Sequence, residues 1–181
     1  VGHGFGGTLA HRIAKASDGV FSAVIMVGST ALSYEDYLLG HSNLSSHTAD
    51  ELKAYQDTLD KLAKMKEQTA LENTETVLGH SVYYFWELQK TNNYELIRKL
   101  RLPTYIVQGK KDPLVPENEG WRQYNNKIGE GVKYATYRSF PGLNHVLMSD
   151  SSTDAYGLPQ YTENATLDIS AGRSIGQWIL S

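Results

Sequence analysis

Apolar positions along this chain switch between helical and strand periods, and the switches divide it into elements. Leu9, Ile13 and Ala16 recur at helical spacing and predict a helix over Thr8–Ala16, which Asp18-Gly19 ends. The mostly apolar run Phe21–Gly28 has strand length and suits a strand buried on both faces. Strand, helix and strand of these lengths are the βαβ signature of a parallel sheet. Later, Pro103 opens the next strand, Tyr105–Gly109, followed by the polar loop Lys110-Lys111-Asp112-Pro113. Pro116 suits the first turn of a helix around Trp121 and Tyr124. Lys133–Phe140 reads as a further strand, and Pro141-Gly142-Leu143-Asn144-His145 as the loop at its end. Residues 149–164 read as a long surface loop, and Leu167, Ala171, Ile175, Trp178 and Ile179 mark a closing amphipathic helix.

Between these strands, from Ser33 to about Arg101, helix formers dominate and no β run is expected. Thr48-Ala49-Asp50-Glu51 is a capping box that leads into a helix with Leu52, Tyr55, Leu59 and Leu62 on one stripe. A second helix is predicted from Glu75 to about Gln89, carrying Val82 to Trp86, and Asn93 can cap a third over Tyr94–Leu100. The fold class is therefore α/β: a parallel sheet of about four strands, interrupted by a helical insertion. Residues 1–32 and 102–181 form the core in this reading, and residues 33–101 the cap.

Composition narrows the function classes. With 40% hydrophobic and 20% charged residues and a net charge of −3, the chain is ordinary for a globular domain and lacks a basic nucleic-acid footprint. The absence of cysteine removes disulfides, thiolate nucleophiles and cysteine metal sites together. No apolar run approaches the length of a membrane span, so neither nucleic acid nor membrane is expected as a partner. His11, His41 and His47 show no metal-ligand spacing, and no metal or cofactor is implied.

The chemistry concentrates in three loops. Val1–Thr8 places glycines at 2, 4, 6 and 7 ahead of a helix, a pattern open to a structural turn, a phosphate cradle or a catalytic turn. Asp112 alone reads as a turn former and His145 alone as a surface-loop residue. Together, Gly4, Asp112 and His145 stand at the C-terminal ends of three parallel strands, where open α/β sheets place their sites.

Those residues carry a resemblance. Gly2-His3-Gly4-Phe5-Gly6-Gly7 resembles the nucleophile elbow of the α/β-hydrolases, G-H-S-x-G-G, with Gly4 in place of serine. The run I-V-Q-G-K-K-D-P-L-V-P is similar to that family's acid segment. F-P-G-L-N-H-V-L-M is similar to the histidine loop of its bacterial esterase and dienelactone-hydrolase-like members, and Y-Y-F-W-E-L-Q to their aromatic cap helix. The resemblance covers nearly the whole chain and the C-terminal half of the family fold. It implies ester hydrolysis by a Ser-His-Asp mechanism on a small-molecule ester. In it His145 would be the base, Asp112 its orienting acid, and the Phe5 backbone N–H one oxyanion donor. Small residues flank the elbow because side chains there would collide, and His3 is expected to pack beneath it. Tyr83 and Trp86 are candidate substrate contacts, although cap-to-core packing explains them as well. Gly79-His80-Ser81 imitates G-H-S but is expected inside a helix and is treated as a decoy.

With Gly4 at the nucleophile position, the chain is expected to be a poor catalyst or none. The alternatives are a non-catalytic small-ligand-binding protein and an assembly module. Because only Val1 precedes the elbow, the sequence reads as the C-terminal part of a longer enzyme. Its strand Phe21–Gly28 is then expected near an open sheet edge, which would pair with the N-terminal half or self-associate.

Overall fold

The structure, a computed structural model, describes residues 1–33, 36–37, 48–62, 64–77, 80–89, 92–149 and 166–181. In chain order the elements are β1 (Gly2–His3), α1 (Phe5–Ala16), β2 (Val24–Val27), α2 (Ala49–Leu62), α3 (Glu67–Glu72), β3 (Thr76–Val77), β4 (His80–Ser81), α4 (Val82–Gln89), α5 (Asn93–Leu100), β5 (Thr104–Gly109), α6 (Trp121–Ile128), β6 (Ala135–Phe140) and α7 (Ile169–Leu180). They fall into two compact units, residues 1–31 with 93–181 and residues 32–92.

The first unit is built on a parallel four-stranded sheet of order β1-β2-β5-β6. All four residues of β2 are buried, as a strand covered on both faces requires. Its alternation separates two cores. Val24 and Met26 join Ile106, Ala14, Ile97, Tyr124 and Ile128 on the face carrying α1, α5 and α6. Ile25 and Val27 join Tyr105, Val107, Phe140, Leu147 and Ala171 on the face carrying α7. Met26 and Ile106 are fully withdrawn from water, and each such side chain contributes roughly 1.5–3 kcal/mol.

Helix α5 belongs to this unit, although the helical composition of residues 33–101 suggested one continuous insertion. Ile97 sits in the sheet's core, and Asn93 Nδ2 donates to the buried Tyr124 hydroxyl at 3.0 Å. The Tyr124 hydroxyl in turn donates to the Thr30 carbonyl at 2.6 Å. Asn93 Oδ1 accepts no hydrogen bond among the described residues, so Asn93 is not the expected cap.

Two other expectations change. Pro116 does not open a helix; its carbonyl accepts from the Glu119 and Gly120 N–H groups in a turn ahead of α6. On α7 the inward stripe is Ala171, which is buried, with Ile175 and Trp178 partly buried at i+4 and i+7; Ile179 is exposed, as is Leu167 ahead of the helix. The edge strands of the sheet are β1 and β6, and β2 lies next to β1, one strand in from that edge.

In the second unit the capping box forms as its spacing requires. Thr48 Oγ1 accepts from the Glu51 N–H at 3.3 Å, and Glu51 Oε2 accepts from the Thr48 N–H at 2.7 Å. Tyr55, Leu59 and Leu62 of α2 pack with Val82 and Phe85 of α4. The predicted helix from Glu75 does not form. Thr76 and Val77 pair antiparallel with Ser81 and His80, and α4 starts only at Val82. Ser81 explains the late start: its hydroxyl accepts from the Tyr84 N–H at 3.2 Å, an N-cap bond. His80 and Ser81 are therefore exposed strand residues rather than helical ones. Gly79, His41, His47 and all but the first residue of the 149–164 loop lie outside the described residues.

Candidate active site

Gly4 sits where β1 turns into α1. Its φ of 55° and ψ of −126° lie in a region strained for any residue with a side chain. The turn is held from both sides. The Gly4 N–H donates to the Val27 carbonyl at 2.8 Å, and the Gly4 carbonyl accepts from the Gly7 N–H at 3.1 Å. The flanking glycines are not equivalent. A Cβ on Gly2 would stand 2.5 Å from the Gly6 carbonyl oxygen, and one on Gly7 would overlap the Ser29 hydroxyl. A Cβ on Gly6 meets nothing within 4 Å among the described residues. Gly2 and Gly7 are thus required by the close approach of β1, α1 and the end of β2, whereas Gly6 is not.

Asp112 follows β5 and His145 follows β6. Backbone bonds join the two loops: the Lys110 N–H donates to the Phe140 carbonyl and the Lys111 N–H to the Leu143 carbonyl, both at 2.9 Å. Asp112 is buried, and its Oδ1 accepts from the Leu114 and Val115 N–H groups at 2.9 Å each. Its Oδ2 lies 2.8 Å from His145 Nδ1. A carboxylate only accepts, so Nδ1 carries a proton, and in the neutral imidazole Nε2 keeps its lone pair. That nitrogen faces the elbow: a Cβ built on Gly4 would lie 3.3 Å from His145 Nε2. The structure therefore brings together Gly4, Asp112 and His145 within the first unit. The Phe5 N–H is the first of α1, at the positive end of its dipole.

His3 is not packed beneath the elbow. It is exposed on β1, its ring lies 4.5 Å from that of His145, and its Nε2 donates to the His145 carbonyl at 3.0 Å. Tyr83 and Trp86 lie on α4 in the second unit with their rings stacked at 5.7 Å. The Tyr83 hydroxyl donates to Glu87 and Trp86 Nε1 to the Met65 carbonyl, so both polar tips are engaged within that unit.

Other residues support the pair without having stood out in the sequence. Gly28, at φ 56°, immediately follows β2 and lies against the imidazole. Buried Gln108 accepts from the Trp121 N–H at 2.9 Å through Oε1 and donates to the Val115 carbonyl through Nε2, which ties the acid loop to α6. Asn144 Oδ1 accepts from the Val146 and Met148 N–H groups at 3.1 and 3.0 Å, shaping the loop around His145. Leu147 in that loop adopts φ 60° with its side chain in the core, so buried packing sustains a backbone that leucine avoids. The only available cue was local, Asn144 in a Pro-Gly loop, since the partners of each residue are distant in sequence.

No protein-family model matches the chain. It is similar to Esterase EstD of Thermotoga maritima, with 24% identity over 190 residues that cover 99% of this chain and 42% of that esterase. It spans less than half the length of this curated relative. Among solved structures it is similar to the monoacylglycerol lipase of Paleococcus ferrophilus, with a TM-score of 0.50, 17% identity, and coverage of 99% of this chain and 66% of that one. An alpha/beta fold family hydrolase of Bacillus anthracis str. Sterne has a TM-score of 0.42 and 21% identity, covering 80% of this chain and 59% of that one. With its parallel sheet, elbow and loop order, this chain resembles the α/β-hydrolases and carries their fold.

Proposed function

We propose that this chain carries the acyl-transfer site of a carboxylic-ester hydrolase whose nucleophile position is occupied by Gly4, so that it forms no acyl-enzyme as it stands. The observation that carries the reading is the Asp112–His145 bond of 2.8 Å, with the far ring nitrogen aimed at the side-chain position of a strained elbow. A solvated surface pair has no need of that arrangement, nor of the two backbone amides that fix Asp112 Oδ1.

In this reading His145 is the general base and then the general acid, and Asp112 holds its tautomer and stabilises the cation. The Phe5 N–H donates to the developing oxyanion, a contribution of roughly 2.7–4 kcal/mol in other enzymes. Loss of the nucleophile alone lowers kcat by on the order of a millionfold in a serine protease, which is the scale of the deficit expected here.

Gly4→Ser tests the reading. The substituted chain should take a fluorophosphonate label and release a burst of nitrophenol from an activated ester, both abolished by His145→Ala. Labelling that persists without His145 would refute it.

A second reading rests on a separate observation. β1 is one edge strand of the sheet and pairs only with Met26 and Val27 of β2, and Val1, which precedes it, is exposed. Such an edge can pair with another copy or another segment of polypeptide, as in an assembly module. Light scattering tests it: a concentration-independent monomer would remove it.

A further inference from the structure

We infer that the Asp112–His145 pair activates a small external nucleophile, water first, in the space over Gly4. This rests on reading the site as one for acyl transfer. The point where a Cβ would stand lies 3.3 Å from His145 Nε2 and 3.7 Å from its Cε1. Among the described residues no other atom outside the adjacent chain comes within 4 Å of it. Removing a CH2OH group from an elbow leaves room on the scale of one small hydroxylic molecule, within hydrogen-bond reach of Nε2. Nothing in the geometry specific to the base has been given up with the serine. Nδ1 is still held by Asp112 Oδ2, and Nε2 is still the acceptor facing the elbow.

The chemistry is a single displacement. The water oxygen bonds to the ester carbonyl carbon as its proton moves to His145 Nε2, giving a tetrahedral oxyanion beside the N-terminus of α1. The intermediate collapses by breaking its bond to the leaving alkoxide, which takes the proton from Nε2. One water and one ester become one acid and one alcohol, and the imidazole returns to its starting state. No covalent intermediate forms, so the kinetics are sequential and without a burst. A primary alcohol small enough for the same space would take the acyl group in place of water.

The space itself supplies the decisive variant. Gly4→Ala adds an inert methyl 3.3 Å from Nε2, where the nucleophile must stand. Catalysis by the oxyanion donor and binding alone would be indifferent to that methyl. The 181-residue chain is assayed with nitrophenyl acetate beside Gly4→Ala and His145→Gln, with circular dichroism confirming that each is folded. General-base assistance is worth about 10²–10⁴-fold. The expected result is steady turnover without a burst, reduced about a hundredfold or more by His145→Gln and by Gly4→Ala, with methyl acetate formed when methanol is added. His145→Gln adds nothing over Gly4 and keeps the test decisive should Gly4→Ala not fold. Turnover unchanged in the folded variants overturns the inference, as does turnover no faster than buffer. The Gly4→Ser chain separates the two readings. A silent parent with a burst in Gly4→Ser overturns the external-nucleophile inference alone, and silence in both overturns the acyl-transfer reading as well.

Discussion

Gly28→Ala is the sharpest test of how the site is held together. Gly28 has φ 56°, and a Cβ there would stand 3.0 Å from His145 Nδ1, 3.1 Å from Cε1 and 3.1 Å from the His145 carbonyl oxygen. Those atoms cannot all retreat. Nδ1 is bonded to Asp112 at 2.8 Å, and the carbonyl is held by His3 at 3.0 Å. The left-handed backbone costs an alanine about 1–2 kcal/mol. Overpacking against the ring adds about 1–3 kcal/mol. The sum is a destabilisation of about 2–5 kcal/mol, read from urea unfolding of the parent and variant chains. The strain falls on the imidazole, so the chemistry should suffer beyond stability. In a Gly4→Ser background, addition of Gly28→Ala should slow fluorophosphonate labelling at least tenfold at temperatures where both chains are folded. The low-field Nδ1 proton resonance of His145 should also shift or broaden. A loss under about 0.5 kcal/mol, with the labelling rate and resonance unchanged, would refute the argument that the end of β2 positions the base.

The elbow glycines should separate by contact: Gly2→Ala, whose Cβ faces the Gly6 carbonyl oxygen at 2.5 Å, should cost about 3 kcal/mol or prevent folding. Gly6→Ala, in the first turn of α1 with open space around it, should stabilise by about 0.5–1 kcal/mol in the same unfolding assay. His11 is fully buried and donates through Nε2 to Thr104 Oγ1 at 2.9 Å, while its Nδ1 has no partner among the described residues. Burial pushes its imidazole from 6.5 down to about 4. The unfolded chain therefore binds more protons between those values. Its contribution is complete above pH 6.5 and falls away by about 3 kcal/mol as pH drops toward 4. Urea midpoints between pH 7.5 and 4.5 should show that loss, and a His11→Leu chain that keeps it would contradict the assignment. Asp112→Asn in the Gly4→Ser background should leave the fold intact and lower the labelling rate by up to about four orders of magnitude, because the amide no longer dictates the imidazole tautomer.

Much of the architecture was legible because the relevant signals are local. A fully apolar run such as Val24–Val27 has no favourable place except a strand covered on both faces. A Thr48/Glu51 spacing satisfies two orphan amides wherever it occurs. The order of glycine turn, aspartate and histidine, each just past a strand, pointed to one end of a parallel sheet. In the structure Gly4, Asp112 and His145 meet there.

What needed tertiary structure was every property set by a partner distant in sequence. Helix α5 joined the sheet because Ile97 and Asn93 fit against Met26 and Tyr124, which no helical period announces. Gly2 and Gly6 are the same residue type four positions apart. One is indispensable and the other optional, because only Gly2 faces a backbone carbonyl at 2.5 Å. The exposed His3 and the buried His11 likewise differ by contacts that their neighbours in sequence do not encode. Periodicity and capping chemistry are written residue by residue and determine the elements; close packing and proton ownership depend on which surfaces meet, and only the folded chain decides those.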